Sequence, residues 1–232
     1  MRKSKVFLLL LILVCLSITT PAFSEIKTST NSEGFVKISD IIPEVIQEIR
    51  YFSTYNFVGA RIDGYNAPIA YMTKEGVTAL RKASEDFKRQ GYVIKIYDAY
   101  RPQQGVNHFK RWAKDLSDTK MKSTFYPNID KTKLFKLGFI ASRSGHSRGS
   151  TIDMTLVNIK TGKEIDMGGV FDFFGEISHH DTKQITAKQK ANRKILKDTM
   201  TKYGFRPYSN EWWHYTLNNE PYEETYFDFP VE

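Results

Sequence analysis

Residues able to do chemistry gather in three short segments. In Ser144-Gly145-His146-Ser147-Arg148-Gly149-Ser150-Thr151-Ile152-Asp153, glycines on both sides of His146 allow a tight loop, and Asp153 falls early in the strand-like run that follows. Glu211-Trp212-Trp213-His214 offers a second imidazole with a carboxylate three residues before it. Two histidines and one aspartate make a donor set for a catalytic zinc with a fourth position open to water. Zinc lowers the pKa of its water to near neutrality, and Glu211 would be the general base that takes the proton. The third segment is Tyr97-Asp98-Ala99-Tyr100-Arg101-Pro102. An arginine at the rim of a strand can polarise a carbonyl and hold the oxyanion that develops on it. Asp98 would fix Arg101 through a bidentate pair.

Each segment alone is weak. A His followed by a distant Asp, or a Glu-x-x-His, recurs by chance, and an arginine at a helix start is often a plain ion pair. The helical zinc motif His-Glu-x-x-His is absent, which excludes a thermolysin-like enzyme. Gly145-His146-Ser147-Arg148-Gly149 matches the G-x-S-x-G of serine hydrolases, but that motif needs a helix after the serine, and a β-branched run follows Ser147. Of the other histidines, His108 sits within a helical pattern beside Phe109 and reads as a surface residue. His179 and His180 lie in a loop where spacing assigns no role.

The 232 residues carry 41% hydrophobic and 14% aromatic side chains, enough for one core and too many for a disordered chain. A mean hydropathy of -0.44 excludes a polytopic membrane protein. The first 24 residues stand apart. Arg2, Lys3 and Lys5 precede the apolar run Val6–Leu16, and Ala22 and Ser24 are small, the layout of a secretory signal peptide cut after Ser24. The run is short for a bilayer span. Cleavage would remove Cys15, the only cysteine, and lower the net charge from +8 to +5. No disulfide, thiol nucleophile or cysteine-bound zinc then remains. The lysines and arginines form no dense run, so nucleic acid is not an expected partner.

The elements that position these groups follow from periodicity. Helices are predicted from Thr73 to Gln90 (stripe Val77, Leu80, Ser84, Phe87), after Pro102 (Val106, Phe109, Ala113, Leu116), and from Thr186 to the stop at Gly204. Tyr92–Tyr97, Thr151–Ile159 and Trp212–Leu217 read as strands, with Lys160–Lys163 a hairpin turn leading to Ile165. Residues 25–34 read as a polar arm. The order implies one α+β domain, 25–232, with a central antiparallel sheet flanked by helices.

YDAYRP, SGHSRGSTID and EWWHYTL, in this order, resemble the VanX-type D-alanyl-D-alanine dipeptidases, zinc enzymes with the hedgehog/DD-peptidase fold. The likeness runs roughly from Ile49 to Leu217 and includes MGGVFDFFGEISHH. It implies one zinc on His146, Asp153 and His214, Glu211 as base and Arg101 as transition-state stabiliser. It further implies that Ser144 and Tyr51 line the substrate pocket and that Asp172 accepts a hydrogen bond from a zinc-bound imidazole. The expected reaction is hydrolysis of D-Ala-D-Ala, with the ammonium facing Glu211 or Asp153. The expected setting is periplasmic or secreted, with no stable membrane insertion after cleavage. Export leaves three alternatives: a D,D-carboxypeptidase that trims wall peptides on the same site, a non-catalytic wall-peptide binder, and a serine hydrolase using Ser147. Fractionation should recover a chain beginning near Glu25 outside the cytoplasm; full-length chain in the cytosol would overturn the signal-peptide reading.

Overall fold

A computed structural model describes residues 27–232; the signal-peptide reading lies outside the described residues. Among the described residues no helix is long and apolar enough to cross a membrane. The strands are β1 (Lys27–Ser29), β2 (Phe35–Lys37), β3 (Ile46–Gln47), β4 (Tyr71–Thr73), β5 (Tyr92–Asp98), β6 (Thr151–Asn158), β7 (Phe205–Tyr208), β8 (Glu211–Leu217) and β9 (Thr225–Phe227). The α-helices are α1 (Ile38–Ile41), α2 (Lys74–Arg89), α3 (Gln103–Lys114), α4 (Lys122–Phe125) and α5 (Ala187–Lys202).

A five-stranded sheet in the order β3-β5-β6-β8-β7 forms the centre. Its pairs are antiparallel except β3–β5, which is parallel and departs from the expected all-antiparallel sheet. The reason is the connection. The chain leaves β3 and returns through α2, and a crossover of that kind brings the next strand back in the same direction. The fold is therefore α+β with a mixed sheet, flanked by α2 and α5 against β5, β7 and β8.

The central strand β6 is buried at every residue but its last. Ile152, Met154 and Leu156 alternate with Asp153, Thr155 and Val157, so apolar side chains fill one face and the other carries Asp153. A strand covered on both faces reads as a nearly continuous buried run. Helix α2 buries Val77, Leu80, Ser84 and Phe87 as its stripe predicts, and Thr73 caps it by accepting the Gly76 N–H. Helix α5 starts with a capping box of Thr186 and Gln189.

Two expectations change. Leu116 is 54% exposed, because α3 stops at Lys114, where Asp115 turns extended and its carboxylate takes the Ser117 N–H. Trp112 takes the buried place on that stripe instead. The polar arm is not free either: Lys27–Ser29 pairs in parallel with β9, which satisfies its backbone groups.

The loop before β6 is fixed by contact with its neighbours. Gly149 has φ 82°, a left-handed conformation, and its carbonyl accepts the Thr73 N–H at 2.9 Å. A Cβ built there would stand 2.1 Å from the Phe35 ring. Gly149→Ala should therefore destabilise the fold by about 1–3 kcal/mol, from backbone strain before any clash is counted. A urea unfolding midpoint equal to that of the parent would contradict this packing.

Candidate active site

The three donor atoms come from three places in the chain. Asp153 and His214 are directly opposed across the β6–β8 pair, so both side chains leave the same face. His146 belongs to the short 3-10 turn Gly145–Arg148 just before β6. Its Nδ1 lies 2.7 Å from the Ala99 carbonyl, which makes Nδ1 the protonated nitrogen and frees Nε2. The His146 carbonyl in turn accepts the N–H of Arg101, so the turn is stitched to the chain leaving β5.

His146 Nε2 stands 3.2 Å from Asp153 Oδ2 and 3.3 Å from His214 Nδ1, while His214 Nδ1 is 3.0 Å from Asp153 Oδ1. A tetrahedral zinc with bonds of about 2.0–2.1 Å spaces its ligand atoms by about 3.3 Å. Asp153 Oδ1 is buried, and apart from His214 Nδ1 at 3.0 Å, itself a prospective metal ligand, no donor reaches it. A buried carboxylate oxygen whose neighbours are all prospective ligand atoms calls for a cation. Among the described residues this is the group of acids and histidines gathered tightly enough for an ion. The set fits zinc.

Glu211 reaches the same place through an irregularity. The β7–β8 register jumps between Pro207 and Tyr208, and Glu211 opens β8 with its Oε2 3.3 Å from His214 Nδ1. Burial opposes the charging of His214, but Asp153 and Glu211 raise its pKa to about 9. Burial likewise opposes ionisation of Asp153, yet His146 and His214 hold its carboxyl well below the usual range. The field at this point favours positive charge.

Arg101 lies beside the triad. A β-bulge between Ile96 and Asp98 sets Asp98, not Tyr97, opposite Asp153. Arg101 Nε and Nη2 are each 2.9 Å from Asp98 Oδ2, and Nη2 is 3.6 Å from Asp153 Oδ2. The expected bidentate fork is thus replaced by two contacts to one oxygen. The other oxygen is taken: Tyr65, a residue without any sequence signal, donates its hydroxyl to Asp98 Oδ1 at 2.6 Å. The guanidinium also lies over the rings of Tyr51 and Phe109, at 4.8 and 5.2 Å.

Tyr51 and Ser144 both line the cavity of about 250 Å³ that contains the triad, with Glu211, Arg101 and Asp172. Ser144 accepts the His146 N–H through its hydroxyl at 3.3 Å. Asp172 does not meet an imidazole. It accepts the Tyr51 hydroxyl at 2.8 Å instead, and the acceptor of a zinc-site imidazole is the Ala99 carbonyl. Asp172 is nearly buried with a left-handed φ of 61°, and burial, followed by the Asp153 carboxylate, raises its pKa well above the ordinary range.

The remaining polar candidates fall elsewhere. Ser147 is fully buried beneath the turn, outside the cavity lining, and a strand follows it. The serine-hydrolase geometry is not present. His108, partly exposed on α3, accepts the Asp63 N–H at Nδ1 at 3.2 Å and does not line the cavity. His180 is half-buried, and burial lowers its pKa to about 4.

The chain matches the sequence profile of the peptidase M15 family, described as D-Ala-D-Ala dipeptidase, over residues 31–232. It is 42% identical to a D-alanyl-D-alanine dipeptidase of Enterococcus faecium over 86% of this chain and 98% of that protein. A D-alanyl-D-alanine dipeptidase of Streptomyces coelicolor is 40% identical over 85% and 98% of the two chains. One from Escherichia coli is 32% identical over 81% and 86%. With its matched region reaching from ahead of β2 to the last residue, the chain belongs to the peptidase M15 family, the D-Ala-D-Ala dipeptidases.

Proposed function

We propose that this protein is a zinc metallopeptidase that hydrolyses D-Ala-D-Ala to two D-alanines outside the cytoplasm. The observation that carries the chemistry is the trio of His146, Asp153 and His214 atoms 3.0–3.3 Å apart, with the Glu211 carboxylate at 3.3 Å from one of them. His146 Nε2, Asp153 and His214 Nδ1 would hold the zinc. When bound, it supplies Lewis acidity toward the carbonyl and lowers the pKa of water.

The chain's own groups do the rest. Glu211 Oε2 takes the proton of the attacking water and returns it to the departing amine. Arg101 presents its remaining N–H groups to the carbonyl oxygen, and the contact strengthens as negative charge develops there. Asp98, held by Tyr65, keeps the guanidinium in one orientation, so little reorganisation is needed at the moment of reaction.

The substrate's ammonium needs an anion. Asp153 is committed to both histidines and Glu211 to the proton. Asp172 faces the same cavity with only the Tyr51 hydroxyl as donor, and among the described residues no cation lies within ion-pair distance of it. Asp172 is therefore the better partner, in place of the two acids that the motifs suggested. An ammonium that pairs with a buried carboxylate favours the free dipeptide over an N-acylated chain. The signal-peptide layout of residues 1–24 supports export, where wall peptides are the alternative substrate. D-alanine release should be much faster from D-Ala-D-Ala than from an N-acylated peptide ending in D-Ala-D-Ala; the reverse preference would make this a D,D-carboxypeptidase.

Glu211→Gln should retain zinc and lose about 10²–10⁴-fold in kcat, whereas His146→Ala, Asp153→Ala and His214→Ala should each lose zinc. Metal analysis with turnover separates these outcomes, and full zinc in all three ligand variants would end the assignment. Tyr65→Phe should keep zinc and slow turnover about 10-fold, the worth of one hydrogen bond to a charged group; unchanged kcat would remove Tyr65 from the support of Arg101.

A further inference from the structure

A free dipeptide carries three polar features: an ammonium, the scissile carbonyl and a carboxylate. Asp172 and Arg101 account for the first two. Asp153 is engaged by the two histidines and Arg101 by Asp98, so the carboxylate still needs a cation of its own in the cavity. Only one other arginine or lysine lines that cavity among the described residues: Arg143.

Resting on the dipeptidase reading above, we propose that Arg143, with the Ser144 hydroxyl beside it, is the carboxylate-recognition subsite. Arg143 is exposed and makes no ion pair within 4.0 Å among the described residues. Its guanidinium lies over the Tyr226 ring, 5.3 Å from the centroid. This cation–π contact restrains the group, and among the described residues its N–H donors have no hydrogen-bond acceptor, which leaves them for a carboxylate. Ser144 accepts the His146 N–H, so its own proton remains available to the same carboxylate. Arg101 cannot serve here, because two of its nitrogens are held by Asp98. The exposed position also suits carboxylate binding, since an anion held at the mouth keeps part of its hydration and the desolvation cost stays small.

The consequence is that the site reads both ends of its substrate. Asp172 requires a free amine, and Arg143 requires a free acid at the residue just beyond the scissile bond. Masking the acid as an amide removes the partner of Arg143 without changing the bond to be cut.

The test compares D-Ala-D-Ala with D-alanyl-D-alanine amide on the zinc-loaded parent, Arg143→Gln and Arg143→Lys. Arg143→Gln should lower kcat/KM for the dipeptide about 10–100-fold, chiefly through KM, as expected for a hydrogen-bonded ion pair. The amide, already poor for the parent, should change less than about 3-fold, since it lacks the charge that such a pair needs. Arg143→Lys should recover most of the loss. Thermal unfolding midpoints should coincide, because the side chain is exposed. Equal loss on both substrates, or no loss on either, overturns the proposal. Calorimetric binding of the dipeptide to zinc-loaded Glu211→Gln, with and without Arg143→Gln, decides it independently of turnover. A parent that binds the dipeptide through Arg143 yet fails to cleave it would defeat the hydrolytic reading and leave this one standing.

Discussion

Asp153 is a carboxylate buried at the centre of a sheet, and such a charge is tolerated only where its partners are fixed. Its neighbours on the same face are two imidazoles and a guanidinium. Strand register holds each of them. His214 is directly across on β8, and the β5 bulge brings Asp98 opposite on the other side, where it anchors Arg101. A slip of one residue in either pair would send these groups to the apolar face. The precision of the site is therefore a property of the sheet, and the loops add His146 and Asp172 to a frame already set.

The aromatic residues around this frame act electrostatically as well as by packing. Arg101 lies over Tyr51 and Phe109, and Tyr51 passes its hydroxyl to Asp172. One ring thus faces the proposed oxyanion-binding cation while its oxygen steadies the proposed ammonium-binding acid. Tyr51 is itself buried, so both contacts form in a low-dielectric setting that strengthens each relative to bulk solvent.

Much of this was legible in the sequence for a physical reason. Asp153, His214 and Glu211 lie in strands whose apolar runs announce them, and His146 and Arg101 lie in short loops bounded by glycine or proline. Helix α2 and the Lys160–Lys163 turn follow from periodicity and turn chemistry. Tyr65 was not legible, because its loop has no period and its partner Asp98 is distant in the chain. The sharing of Asp98 between Tyr65 and Arg101 follows from that contact, so the single-oxygen geometry was hidden with it. The position of Asp172 was visible but its partner was not: a left-handed aspartate turns its carboxylate toward Tyr51, and no local pattern encodes that turn. The parallel β3–β5 pair escaped because β3 has only two residues, too few for a period.

Two donors of the triad, His146 and Asp153, come from a turn and the strand that directly follows it, whereas His214 joins them only through the non-local β6–β8 pairing. No short stretch of the unfolded chain holds all three, so the complete donor set exists only once the sheet has formed. Loop-closure entropy must be overcome before β6 and β8 meet, and contacts of this kind form late and slowly. A metal ion then binds the folded chain almost exclusively, and its affinity adds to global stability by mass action. The ion would be retained or released with the cooperative unfolding of the sheet, making metal content a readout of folding for the entire domain.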